Sequence, residues 1–175
     1  MTPQHEIILV DTAEQRQECY DVRIAVFHLE QNFPLETEID EPVIPFLKFY
    51  NMEDNATHFL LRLMPSLTPI GTIRACEIPG AGYYKLTRLA VLKDYRKYKF
   101  GRALVLRLHE WVRRHALQVG ALGPVKIICH SQLPVTGFYA KFGYEAEGDE
   151  FDEDGDPHQK MVLQLPLGPS PRHDV

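Results

Sequence analysis

The sequence lacks the marks of several protein classes. Its three cysteines, Cys19, Cys76 and Cys129, are odd in number, far apart and form no CxxC pair. That argues against a disulfide scaffold or structural zinc and predicts a reducing, intracellular setting, the cytoplasm or also the nucleus. No apolar run approaches the ~18 residues of a membrane span, so no membrane partner is expected. Met1–Gln15 has neither a basic flank nor a long apolar stretch, and no secretory signal is read there. The phosphate-binding patterns GxxxxGK followed by Ser or Thr, and GxGxxG, are both missing. His109-Glu110 begins like the zinc motif HExxH, but the next histidine is His115. Six residues turn a helix by about 240° modulo a full turn, so the two rings diverge and no metal is expected. Internal repeats and linkers are also missing.

What remains is ordinary globular chemistry. The 175 residues are 45% hydrophobic and 25% charged, enough for one domain with its own core. A single domain over 1–166 with a flexible tail, 167–175, is expected. The net charge of −5 is unevenly spread: residues 1–87 carry −7, residues 88–117 carry +7 and residues 118–175 carry −5. A basic block between acidic flanks suits a compact anion at one segment and a cation at another. A nucleic-acid backbone, which asks for a whole basic face, is not expected as a partner.

Periodicity predicts a mixed α/β domain. Residues 6–10 read as a strand, and Thr12 with Gln15 forms a capping box that opens a helix ending before Pro34. Residues 42–50 read as a short helix or an apolar loop. Runs at 57–63, 70–78 and 83–92, separated by turn-rich segments, read as an antiparallel meander. The period then changes. Leu104, Leu108, Trp111, Val112 and His115 share one face of a long helix from near Gly101 to Gly120. A strand at 125–129, a helix at 134–142 and a strand at 159–165 complete the domain. Cys129 and His130, as strand neighbours, point to opposite faces, so Cys129 is read as core and not as a nucleophile.

The most informative segment runs from Leu89 to Leu104, where a strand enters a tight basic turn that opens a helix. Unpaired N–H groups and the positive end of the dipole make such a start a natural place for a pyrophosphate. A solvated basic loop is the alternative. Arg96 to Gly101 with Arg102-Ala103-Leu104 resembles the acetyl-CoA loop of the GNAT superfamily of N-acetyltransferases, (Q/R)xxGx(G/A). Residues 138–144, FYAKFGY, resemble that superfamily's FYxxxGF signature. Arg23 to Asp40 resembles the opening "R..VF..EQ..P...E.D" of its ElaA-like branch, and Glu147 to Met161 resembles the closing "GxxFxExGxPHxxM". Lys99 stands where the family places the loop's first glycine. Its side chain must therefore point away from the phosphates or add a charge-assisted contact.

The resemblance implies a GNAT fold, a mostly antiparallel mixed sheet flanked by helices. It also implies a V-shaped acetyl-CoA cleft between two central parallel strands. Coenzyme A would be the product, and no metal takes part. On that resemblance Leu89, Ala90 and Val91 lend backbone N–H groups to the acyl carbonyl and pantetheine. Arg96, Lys97, Tyr98, Lys99, Phe100, Gly101, Arg102 and Ala103 form the pyrophosphate loop. Gln132 and Phe138 lie along the pantetheine, and Tyr139 protonates the departing thiolate. For Tyr139 and Gln132 the alternatives are a core aromatic and an ordinary loop amide. Candidate bases are Glu30, Glu38, Asp40, His58, His130 and His158, with Glu38 and His158 leading. Phe27, Glu30, Asp40, His58 and Arg74 are candidate substrate residues, and Arg23 and Arg74 orient the carboxylates or hold a substrate acid. The acidic run Asp149–Asp156 reads alternatively as a solvated turn.

The expected reaction is transfer of acetyl from acetyl-CoA to a primary amine by direct attack in a ternary complex. The acidic flanks suit a small cationic acceptor. A protein or peptide lysine acetyltransferase and a non-catalytic acyl-CoA-binding regulatory module remain as alternatives. An interaction domain without cofactor ranks last. Analogy with the superfamily makes a homodimer an open option.

Overall fold

Thr12 opens the first helix in the way its sequence requires. Its hydroxyl accepts from the Gln15 N–H at 3.2 Å, and the Gln15 side chain reaches back to the Asp11 N–H at 3.0 Å. The return bond lands one residue ahead of the capping residue itself. The computed structural model describes residues 1–38, 53, 55–78 and 80–168. The expected segment 42–50, the site candidate Asp40 and residues 169–175 of the expected tail lie outside these.

The described elements are β1 (His5–Leu9), α1 (Ala13–Arg23), β2 (Thr57–Leu63), β3 (Pro69–Ile78), β4 (Tyr83–Val91) and α2 (Phe100–Gln118). They continue with β5 (Val125–Gln132), α3 (Thr136–Ala140), β6 (Glu145–Ala146), β7 (Phe151–Glu153) and β8 (Asp156–Leu165). From Ile24 to Glu30 the first helix continues with π-type bonding, a local change of period that residue spacing had not disclosed.

One mixed sheet runs in the order β1-β2-β3-β4-β5-β8-β6, with β7 also on β8. Every pairing is antiparallel except that of β4 with β5. That parallel pair is short: Tyr83, Tyr84 and Lys85 lie beside Lys126, Ile127 and Ile128, and beyond them the strands part. The expected V between two central parallel strands is this divergence. A bulge sharpens it. The β3–β4 register passes from Thr72–Ala90 to Arg74–Thr87, which leaves Ile73 opposite both Arg88 and Leu89. Arg88 takes φ 54°, a left-handed conformation that bends the strand.

Two helices cover the sheet from opposite sides. α2 buries Leu104, Val105, Leu108, Val112 and Ala116 against β3 and β4, in one cluster with Phe59, Ile73 and Leu86. Val22 and Val26 of the first helix pack on Ala90 from the other face. Each fully buried aliphatic side chain contributes about 1.5–3 kcal/mol of transfer free energy. Gly120, at φ 87°, ends α2, and the Ala121 N–H returns to the Ala116 carbonyl at 2.9 Å.

β5 and β8 extend three residues beyond their sequence-based limits and pair from Val125–Leu165 to Gln132–His158. The acidic run Asp149–Asp156, whose alternative reading is a solvated turn, contributes to a hairpin. Phe151 pairs with His158 and Glu153 with Asp156, across a turn where Asp154 and Gly155 both take positive φ.

Candidate active site

Between the parting ends of β4 and β5 lies a cleft of about 1340 Å³. Leu89, Ala90 and Val91 border it on the β4 side, and Cys129, His130, Ser131 and Gln132 on the β5 side. Strand ends that have lost a lateral partner leave backbone N–H and C=O groups for a ligand.

The basic turn sits at one end. Residues Lys93–Tyr98 form a 3₁₀ turn, and Lys99 then takes φ 61° and ψ 25° before α2 begins. This is the left-handed conformation that glycine supplies at no steric cost, here adopted by a lysine. No side chain caps α2, and its first described intrahelical bond joins the Ala103 N–H to the Lys99 carbonyl at 3.3 Å. The N–H groups of Phe100, Gly101 and Arg102 therefore form the anion-attracting end of a 19-residue helix. Lys99, Gly101, Arg102 and Lys141 border the cleft there. Phe138 lies over the helix start, and a Cβ on Gly101 would stand 3.5 Å from its ring.

Other loop residues do different work. Phe100 is buried in the core, Tyr98 leans on Phe100, and the Lys97 ammonium lies over the Tyr98 ring. None of these three, nor Ala103, borders the cleft. Arg96 borders it and is also tied to the protein through all three nitrogens. Its two terminal nitrogens bond Glu30 at 2.7 Å each, and its Nε bonds the Val91 carbonyl at 2.9 Å. Glu30 thus serves the turn and does not border the cleft. Arg96 holds its carboxyl below the usual carboxylate range.

Tyr139, on α3, borders the cleft and is 8% exposed. Phe138 and Tyr144 meet its ring edge-on. Burial, with a smaller contribution from Cys129, pushes its hydroxyl well above its ordinary pKa, so it stays protonated. Burial pushes the Cys129 thiol up to about 12, which makes it inert as a nucleophile. Gln132 donates to the Gln31 side chain at 3.0 Å and ties β5 to the end of the first helix.

The other end is rich in charge. Arg23, 1% exposed, bonds Glu53 through both terminal nitrogens at 3.2 and 2.9 Å. Its Nε lies 3.5 Å from the Glu38 carboxylate, and it also donates to the Glu38 carbonyl. Arg74 bonds Glu53 at 2.5 Å and Thr87 at 2.8 Å. Arginines orient carboxylates here, but the principal one is Glu53, which residue spacing had not suggested. Glu38, Arg74 and Phe27 border the cleft; His58 does not. The His58 ring is buried against the Glu53 carbonyl at 3.0 Å, and desolvation lowers its pKa.

His158 and His130 border the cleft with Glu153 between them. His130 Nδ1 is 2.7 Å from Glu153 Oε1, and His158 Nε2 is 3.8 Å from Glu153 Oε2. The bond from His130 holds the Glu153 carboxyl below its usual range, against a smaller desolvation effect. Among the described residues no group of His, Cys, Asp and Glu is arranged to hold a metal ion. No helix among them is long and apolar enough to cross a membrane.

A family model described as an acetyltransferase (GNAT) domain matches residues 40–165. The chain belongs to the GNAT acetyltransferase family. It is an acyltransferase of a family that uses acetyl-CoA. It is similar to a candidate acetyltransferase of Bacillus subtilis strain 168, 32% identical over 145 residues, which cover 83% of this chain and 86% of that one. The crystal structure of a candidate N-acetyltransferase from Lactobacillus plantarum superposes with a TM-score of 0.73 at 29% identity, covering 93% of this chain and 99% of that one. Escherichia coli ElaA shares the fold, with a TM-score of 0.67 at 19% identity over 92% of this chain and 99% of its own.

The residues that line the cleft of this acetyltransferase without having been sequence candidates include Glu153, Lys141 and Arg88. Glu153 lay within the acidic run, where the Asp154-Gly155 pair between alternating residues is a hairpin signal that could have found it. Lys141 and Arg88 carried no comparable signal.

Proposed function

We propose that this acetyltransferase moves acetyl from acetyl-CoA to the primary amine of a small cationic acceptor, with both substrates held in the cleft at once. One observation carries the reading. One cleft is bordered by an uncapped, lysine- and arginine-flanked helix start and also by Glu38, Glu153, His158 and Tyr139.

The residues present fit the donor. The N–H groups of Phe100, Gly101 and Arg102, with the Lys99 and Arg102 side chains, would hold the pyrophosphate. The freed edge of β4 at Leu89, Ala90 and Val91 would bind the acyl carbonyl and pantetheine, with Gln132 and Phe138 along the same path. Bound acetyl-CoA supplies an activated acyl group, a thioester open to an uncharged amine. Tyr139 keeps its proton on the hydroxyl and offers it to the departing sulfur. Because burial raises its pKa so far, it acts by donating a strong hydrogen bond to developing charge before any net transfer.

Of the two leading base candidates, His158 suits the role better. Glu38 is 2% exposed and lies against Arg23, which already neutralises it. His158 offers an imidazole nitrogen, borders the cleft directly and has no arginine against it. Phe27 and Arg74 shape the acceptor end.

Calorimetry with acetyl-CoA, using ATP and NADH as controls, tests the donor site, and a panel of amines scored by thiol release tests the transfer. Selective acetyl-CoA binding with Tyr139-dependent thiol release is expected. No acetyl-CoA binding at millimolar concentration would overturn the reading.

A further inference from the structure

We propose that Glu153 and His158 form the seat of the acceptor's ammonium group, with Glu153 as its anchoring carboxylate and His158 Nε2 as the atom that takes its proton. The inference deepens the acetyl-transfer reading and rests on it for the reaction, though not for the seat itself.

Tautomers decide the matter. His158 Nδ1 lies 2.8 Å from the backbone carbonyl of Asp156, which can only accept, so Nδ1 carries a hydrogen. The lone pair of the neutral ring is then on Nε2, which points toward Glu153 Oε2 at 3.8 Å. That distance is too long for a hydrogen bond. Two acceptors therefore face each other across a gap with no donor between them. On the other side, His130 Nδ1 at 2.7 Å occupies Glu153 Oε1 and fixes the carboxylate, leaving Oε2 turned to the gap. A group with several N–H donors and a positive charge satisfies both acceptors at once, and a primary ammonium is such a group.

The surroundings support this. Phe151 stacks on His158 with ring centroids 6.1 Å apart and meets His130 edge-on at 4.9 Å, which fixes both rings. Glu153 is 40% exposed, so a ligand reaches it directly from the cleft. Lys85 of β4 and Asp154 of the turn also border the cleft, and Lys85 favours the ionised form of Glu153. Asp152 is turned to the Gly155 N–H, and Lys160, opposite His130 in register, is turned to Glu147. Neither fills the gap.

The step balances. The ammonium gives one proton to His158 Nε2. The freed nitrogen lone pair forms the C–N bond to the acyl carbon while the C–S bond breaks, its electron pair leaving on sulfur. The second nitrogen proton compensates the thiolate by way of Tyr139, and His158 returns its proton to water.

Long-range ¹H–¹⁵N spectra of the labelled full chain, with spermidine, tyramine or glucosamine added as probes, test the seat without turnover. At least one probe is expected to shift the His158 Nε2 resonance, and Glu153→Gln should weaken that probe's binding about 10- to 100-fold. Acetyl-CoA affinity by calorimetry should stay within about 2-fold, which also reports that the variant is folded. In turnover, Glu153→Gln should raise the amine KM by the same factor, and Glu153→Asp should recover part of it. His158→Gln should lower kcat by about 10²- to 10⁴-fold and change the shape of the pH–rate profile. If no probe shifts His158, or if Glu153→Gln leaves probe binding and KM unchanged, the seat is overturned. If acetyl-CoA fails to bind the wild type, the transfer reading falls, and the probe spectra still decide the seat.

Discussion

Glu30 grips Arg96 through two hydrogen bonds of 2.7 Å, and the same guanidinium reaches back to the Val91 carbonyl. One arginine thus joins the end of the first helix, the end of β4 and the basic turn. A bidentate pair of this kind adds geometric specificity beyond its modest energy. The consequence for the donor site is electrostatic, since Glu30 cancels one positive charge beside it. Glu30→Gln should tighten acetyl-CoA binding by about 2- to 5-fold at low salt, and the gain should vanish near 1 M salt, where the Debye length is about 3 Å. Calorimetry at two ionic strengths checks both halves. Arg96→Ala should loosen binding at either salt, because it removes the strut as well.

Lys99 carries the opposite tension. A non-glycine residue at φ 61° is strained by about 1–2 kcal/mol, while glycine there loses roughly 0.5–1 kcal/mol through its freer unfolded chain. Lys99→Gly should therefore stabilise the protein by about 0.5–1 kcal/mol in urea unfolding. Lys99→Glu should leave stability nearly unchanged and weaken acetyl-CoA binding by at least about 10-fold. Equal binding by wild type and Lys99→Glu would place the pyrophosphate elsewhere.

Tyr139 separates packing from chemistry. Its ring meets Phe138 and Tyr144 edge-on, contacts that phenylalanine keeps, so Tyr139→Phe should leave the melting temperature and acetyl-CoA affinity nearly unchanged. The rate of thiol release should fall by about 10²-fold or more. A fully active Tyr139→Phe variant would return this residue to the core aromatic role.

His109 makes stability depend on pH. Its ring is buried on α2, 2.8 Å from the Tyr144 hydroxyl, and burial lowers its pKa to about 4. Unfolding restores the ordinary value near 6.5, so between these limits the unfolded chain binds more protons than the folded one. Stability should be complete above about pH 6.5 and decline as pH falls toward 4, by about 3 kcal/mol from this group. Urea unfolding at pH 7 and pH 4.5 measures the loss, and His109→Gln should flatten it. An unchanged slope in that variant would assign the pH dependence to other groups.

Much of this molecule was legible because its signals are local. The capping box at Thr12, the strand-like runs of β2 to β4 and the apolar stripe of α2 each depend on residues a few positions apart. The basic turn also reads locally, whereas Lys99 in a glycine's place is legible only against the family pattern that the loop resembles. The π-bonded stretch Ile24–Glu30 and the bulge at Arg88 were not legible, since the side-chain pattern of a helix or strand does not report a change in backbone hydrogen bonding.

The charged networks lie furthest from local reading. Glu53 meets Arg23 across 30 positions and Arg74 across 21, and Glu153 meets His130 across 23. By itself the sequence determined the main strands and helices and the basic turn that opens α2. Periodicity and dipole direction are properties of short segments. Only the tertiary structure decided which carboxylate faces which histidine, that His58 and Glu30 stand outside the cleft, and that β4 and β5 part after three pairs. Those relations follow from strand register and from the bulge that bends β4. Each is a cooperative outcome of the whole sheet, and no single segment carries it.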